Sequence, residues 1–200
     1  MSRERLPSDE RQGDILEAAL KIIQEEGYTN LTIRKISGEI GVSEAAIYKH
    51  FNSKEEILND LATWIFEKNQ IDVDEEEKSD EFEVLKQIIR EKFNILEENP
   101  YFTAVLFQDE LFREYDSIKE KFDSHREKTE EALIDIVERG IEKGKFSNDV
   151  DPEVFAELYM GAIRMCVLKW RHDDFSYPLS DKADTIIENL FKILKEGEEG

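Results

Sequence analysis

Apolar and polar positions alternate with a helical period along almost the whole chain. Ile15, Ala19, Ile22 and Ile23 stand at i, i+4, i+7 and i+8, and Leu16 and Leu20 widen the stripe. This predicts a first helix from about Asp9 to Glu26, stopped by Gly27. Thr32 is placed to cap a short second helix carrying Ile33, Ile36 and Ile40, which Gly41 ends. Ser43 caps a third short helix with Ile47 on its inner side. Ser53-Lys-Glu-Glu56 has the form of a capping box opening a fourth helix through Ile57, Leu61, Trp64 and Ile65. A charge run, Asp72 to Asp80, predicts a solvated loop. Helices resume at about Phe82–Glu98, Pro100–Phe112 (with Asn99 as cap), Ile118–Lys143, Pro152–Arg171 (with Asp151 as cap) and Asp181–Lys195. No strand pattern and no internal repeat is found, so the expected fold is all-α, with about nine helices.

Thr32 to Phe51, TIRKISGEIGVSEAAIYKHF, has the spacing of two short helices joined by a tight turn. Gly41 supplies a left-handed turn residue. Val42 and Ile47 fill the space between the helices opposite Ile36 and Ile40, and Ser37 is small where they cross. The second helix is too short to stand alone and relies on this packing. It turns Glu44, Ala45, Ala46, Tyr48, Lys49 and His50 outward, an arrangement suited to a DNA major groove.

GVSEAAIYKHFNSKEEIL, with the Gly27-Tyr28 end of the first helix and Thr32-x-Arg34-Lys35-Ile36, resembles the TetR family of transcriptional regulators over about residues 10–65. The resemblance implies a three-helix DNA-binding head over 1–52, with its motif at 32–51. Over 53–200 it implies a helical-bundle, ligand-sensing and dimerising body. It also implies a homodimer on pseudo-palindromic double-stranded DNA, repressing until a small-molecule effector binds. The implied DNA-binding residues are Thr32, Arg34, Lys35, Ser43, Glu44, Ala45, Ala46, Tyr48, Lys49, His50 and Lys54. Among them Thr32, Tyr48 and Lys54 resemble phosphate contacts and Arg34 a base contact. Glu44 either accepts a hydrogen bond from cytosine or complements the helix dipole. Trp64, Phe93, Phe102, Phe107, Tyr159 and Arg164 are candidates for the ligand pocket, and Phe155, Leu190, Phe191 and Leu194 for the dimer seam. Two other functions fit the pattern: a DNA-binding adaptor without a small-molecule effector, and a helical ligand-binding protein with a vestigial head.

Charge refines this picture. The chain carries 27 basic and 48 acidic residues, a net of −21. Residues 1–54 hold 8 of the basic and 9 of the acidic groups, so nearly all the excess lies beyond the head. Only the head can approach phosphates without strong repulsion. Arg164 interrupts the apolar run MGAIRMCVLKW and needs a carboxylate from the body, the partner subunit or the ligand. Arg113 beside Phe112 is a weaker candidate base. The aromatic content points to a largely apolar effector.

No phosphate loop, nucleophile elbow or metal-ligand spacing appears, so neither an enzyme, a cofactor nor a metal is expected. His125 and His172 read as exposed helix histidines, and Cys166 as a buried, inert thiol. The polar N-terminus, the absence of a membrane-length apolar run and the single cysteine fit a reducing cytoplasm, with no membrane partner.

Overall fold

The computed structural model describes residues 8–68, 80–107 and 114–195; among these there are nine α-helices and no strand. They are α1 (Ser8–Glu26), α2 (Ile33–Ile40), α3 (Glu44–Ile47), α4 (Lys54–Lys68), α5 (Glu81–Glu98), α6 (Thr103–Leu106), α7 (Asp116–Glu142), α8 (Pro152–His172) and α9 (Ala183–Lys195). The chain divides into two compact units. The first takes in Met1–Lys68 and Ala104–Phe122, the second Asn69–Thr103 and Asp123–Gly200. The expected head therefore closes into a larger unit that includes α4 and the first turns of α7.

In the first unit the apolar stripe of α1 packs against α2 and α4. Ile15, Ala19, Ile23, Ile36, Ile47, Ile57, Leu61 and Ile65 are fully buried. Tyr28 is buried as well, and its hydroxyl donates to Glu114 at 2.5 Å. Polar bonds fix α4 to the start of α7. Asn59 donates to Ser117 at 3.1 Å, and Ser117 donates to Glu55 at 2.6 Å. The Lys121 amine reaches the Asn59 carbonyl at 2.9 Å and the Thr63 hydroxyl at 2.6 Å.

In the second unit α5 packs against α9. Tyr159, fully buried, donates to the Leu85 carbonyl at 2.6 Å, and Trp170 donates to the Tyr177 carbonyl at 2.7 Å. Phe82 meets Phe146 and Phe191 edge to face, with ring centres 4.6 and 4.9 Å apart. Phe146 lies over Gly140, where a β-carbon would come 2.8 Å from the ring's Cγ and nearer still to its edge. Alanine normally improves a helix interior by up to about 1 kcal/mol over glycine. Here the Phe146 ring cannot retreat from Phe82, and such overpacking costs about 1–3 kcal/mol. Gly140→Ala is accordingly expected to lower the melting temperature; a rise in a thermal melt would contradict this packing.

Several local expectations differ from the structure. The sixth helix is short: Pro100–Phe102 forms a 3-10 turn, and α6 covers only Thr103–Leu106. Residues 108–113, including Arg113, lie outside the described residues, as does the charge run up to residue 79. Asn99 does not cap that turn, because its amide donates back to the Ile95 carbonyl. Asp80 instead caps α5 through the Phe82 amide. The last helix begins at Ala183 after a 3-10 turn at Ser180–Lys182.

Candidate nucleic-acid interface

The outward surface of α2 and α3 is built by local chemistry. Thr32 caps α2 by accepting from the Lys35 amide at 3.2 Å, and Ser43 caps α3 by accepting from the Ala46 amide at 3.3 Å. Each hydroxyl uses a lone pair for its cap and keeps its proton to donate outward, for instance to a phosphate oxygen. Gly41 takes φ 72°, ψ 41°, the left-handed conformation that glycine adopts without strain. Ile36, Ile47 and Phe51 anchor the pair of helices from below, and the buried Ser37 returns its hydroxyl to the Arg34 carbonyl at 2.9 Å. α3 is a helix of four residues continued by a turn through His50.

The structure leaves Thr32, Arg34, Ser43, Glu44, Ala45, Tyr48 and Lys49 exposed, with Ala46 and His50 half-buried beside them. Tyr48 is 52% exposed, a large apolar ring at the surface with its hydroxyl free to meet a phosphate. Glu44 lies in the first turn of α3, where a carboxylate complements the helix dipole. Lys35 is drawn into an ion pair with Glu26 at 2.5 Å. Lys54 is half-buried, its amine 4.3 Å from the centre of the Tyr28 ring. It also helps hold the Glu114 carboxyl below the usual carboxylate range, after the hydrogen bonds from Tyr28 and Tyr115. Both lysines must therefore leave an intramolecular partner before they can meet DNA. The α4 cap also differs in detail. Ser53 accepts from the Glu56 amide at 3.1 Å, but Glu56 reaches back to the Asn52 amide, one residue before the cap.

The other candidate residues separate. Trp64 and Phe107 belong to the first unit and are half-buried. Phe93, Phe102 and Tyr159 belong to the second and are buried. Arg164 is exposed, because its position on α8 adjoins an outward face; its apolar neighbours in sequence do not enclose it. The four residues expected at a dimer seam, Phe155, Leu190, Phe191 and Leu194, are buried within this one chain. Sequence periodicity overlooked a different stripe, Val154, Leu158, Gly161 and Met165 at i, i+4, i+7 and i+11 of α8. Its three large residues are 50, 48 and 64% exposed. Its spacing was readable, but not the side of the helix facing out. His125 is partly buried, and burial is the first cause of its lowered pKa. Cys166 is half-buried, and burial pushes its thiol up, away from the reactive thiolate. Among the described residues no group of acidic, histidine and cysteine side chains could hold a metal, and no helix is long and apolar enough to cross a membrane.

Comparison with known proteins agrees with this geometry. Residues 15–61 match the model of bacterial regulatory proteins of the tetR family, and residues 60–193 that of the C-terminal region of YsiA-like proteins. The chain is 28% identical over 178 residues to the nucleoid occlusion factor SlmA of Vibrio atlanticus, covering 87% of this chain and 90% of that protein. It is 27% identical over 180 residues to the fatty acid metabolism regulator protein of Bacillus subtilis, covering 88% and 91%. The crystal structure of the transcriptional regulator FadR of Bacillus subtilis with stearoyl-CoA superposes with a TM-score of 0.72 at 24% identity. The match covers 90% of this chain and 98% of that one, a likeness of fold. Two family models that together cover the head motif and nearly all of the body, and a head whose capped helices turn polar residues outward, lead to one conclusion. The chain belongs to the TetR family and is a DNA-binding transcriptional regulator.

Proposed function

We propose that the chain is a cytoplasmic, non-enzymatic repressor that binds a pseudo-palindromic operator as a homodimer and leaves it when an apolar acyl effector occupies the second unit. The observation that carries the DNA reading is the exposed surface of Thr32, Arg34, Ser43, Glu44, Ala45, Tyr48 and Lys49, supported on the buried Ile36, Ile47 and Phe51. The stripe Val154, Leu158 and Met165, with Ile193 of α9 at 39% exposure, is the dimer surface in this reading. The effector reading draws on the match to a fatty acid metabolism regulator and on the fold shared with a regulator crystallised with stearoyl-CoA. Release is then a population shift, limited by the difference in the effector's affinity for the two states.

The match to nucleoid occlusion factors favours a second reading, a DNA-binding adaptor that docks another protein and has no small-molecule effector. One experiment separates them. DNA retained from a random library identifies the operator, and the selection is repeated with stearoyl-CoA present. Loss of retained DNA supports the repressor; retention with every acyl ligand supports the adaptor. On the selected operator, Arg34→Ala should cost about 1–3 kcal/mol at one base pair and relax preference there. Tyr48→Phe should weaken binding to all sequences alike. Unchanged affinity for both variants at matched salt would remove this surface from DNA binding.

A further inference from the structure

The basic residues of the DNA-facing surface are not held alike. Arg34 and Lys49 are exposed, whereas Lys54, the first residue of α4, is half-buried against Tyr28. The Tyr28 side chain is buried, which fixes its ring in place. The Lys54 amine lies over the face of that ring, 4.3 Å from its centre. At the far end of the same phenol the hydroxyl donates to the Glu114 carboxylate at 2.5 Å. A phenol that donates to a carboxylate gains electron density, and its face then attracts a cation more strongly. The bond from Tyr28 first, then Tyr115 and, against the opposing effect of burial, Lys54 hold the Glu114 carboxyl below the usual carboxylate range. The negative charge is therefore present at neutral pH.

The position of Glu114 is set by α7, which begins two residues later at Asp116. Ser117 and Lys121, in the first turns of α7, bind Glu55, Asn59 and Thr63 of α4. The contact between α4 and α7 thus carries the carboxylate to the ring on which Lys54 rests. A DNA phosphate would draw on the same amine, and the two anions compete for it. We propose that Glu114, fastened by the Tyr28 hydroxyl, is an internal counter-charge that restrains Lys54 and lowers affinity for DNA of any sequence. Operator affinity then depends on where the first turns of α7 sit on α4. Seated as they are here, they restrain the lysine; withdrawn, they free it. This goes beyond the reading of Lys54 as a phosphate contact and rests on it.

The test is a double-mutant cycle on the full-length protein, titrated at fixed salt against the selected operator and against a random duplex. Wild type, Glu114→Gln, Lys54→Met and the double variant are compared. Glutamine keeps an oxygen to accept from the Tyr28 hydroxyl and removes only the charge. Glu114→Gln should tighten binding to both duplexes about threefold or more, within the range of coupled neighbours. On the Lys54→Met background the same change should gain less than about twofold, the scatter expected of independent sites. Tyr28→Phe keeps the ring under the amine but lets the carboxylate go. It should give a smaller gain in the same sense, and it carries the test if Glu114→Gln does not fold. An equal gain with and without Lys54 would mean that Glu114 acts only through the net charge of the protein, and overturns the restraint. No change or a loss of affinity in Glu114→Gln overturns it too, and marks a carboxylate that merely seats α7. Binding by Lys54→Met equal to that of wild type, alone and combined with Glu114→Gln, removes Lys54 from DNA binding as well.

Discussion

Replacing Leu158 and Met165 together with glutamate should leave the chain monomeric and weaken operator binding roughly a hundredfold or more, the scale on which a second linked contact raises affinity. Both side chains stand on the exposed stripe of α8, and neither is needed by the chain's own core. Gly161 lies on the same stripe, and a β-carbon there would meet nothing within 4 Å. Packing inside this chain therefore gives no reason for a glycine, whereas a second helix crossing the stripe does: a residue without a side chain lets two helix backbones approach closely. Carboxylates facing each other across such a seam would be both desolvated and mutually repelled. The control is Leu190→Glu, which strikes the buried face of α9 and should unfold the second unit without yielding a folded monomer. Light scattering at micromolar concentration and an operator titration check both. A double variant that remains dimeric would show that the seam lies elsewhere.

Glu81→Gln should be among the most destabilising single changes in the second unit. The Glu81 side chain is buried at the first position of α5. Lys143 hydrogen-bonds one carboxylate oxygen, and Lys145 forms an ion pair with the other at 3.0 Å. Burial would raise the group, but Lys143, a backbone hydrogen bond and Lys145 together outweigh it, and its pKa falls from 4.5 to about 2. The folded-state value lies below the unfolded one. The stabilisation is therefore complete above about pH 4.5 and is lost as pH falls through about 2. Discounted for the partial exposure of both lysines, it amounts to about 2–3 kcal/mol, or roughly 5–10 °C in a domain of this size. Thermal melts of wild type and Glu81→Gln should differ most near neutral pH and converge in acid. Equal melting temperatures at pH 7 would mean that the buried carboxylate contributes nothing.

The head was readable because its determinants are local. Thr32, Ser43 and Ser53 cap helices as their positions in sequence imply, and Gly41 takes the backbone conformation for which it was singled out. The body was less readable because an apolar helical face does not reveal what covers it. Leu190, Phe191 and Leu194 form as broad a stripe as a dimer seam would, yet this chain's own core covers them. The apolar neighbours of Arg164 in sequence do not bury it, because on a helix they point in different directions. Asn99 failed as a cap because its amide has a nearer carbonyl, that of Ile95, in the turn just ended.

The bonds between α4 and the start of α7 also set an order of events on the ribosome. When Lys68 has emerged, the operator-reading helices are made, but the group that receives the Tyr28 hydroxyl and those that bind Glu55, Asn59 and Thr63 are still to come. Roughly 50 more residues must follow, which at bacterial elongation rates takes about 3–10 s. Until then a buried phenol has no acceptor, and the side of α4 that α7 covers lies bare. A polypeptide abandoned after its fourth helix should therefore be cleared by proteases before it can occupy an operator. The cell is in this way spared a fragment that carries the DNA-reading helices without the rest of the chain.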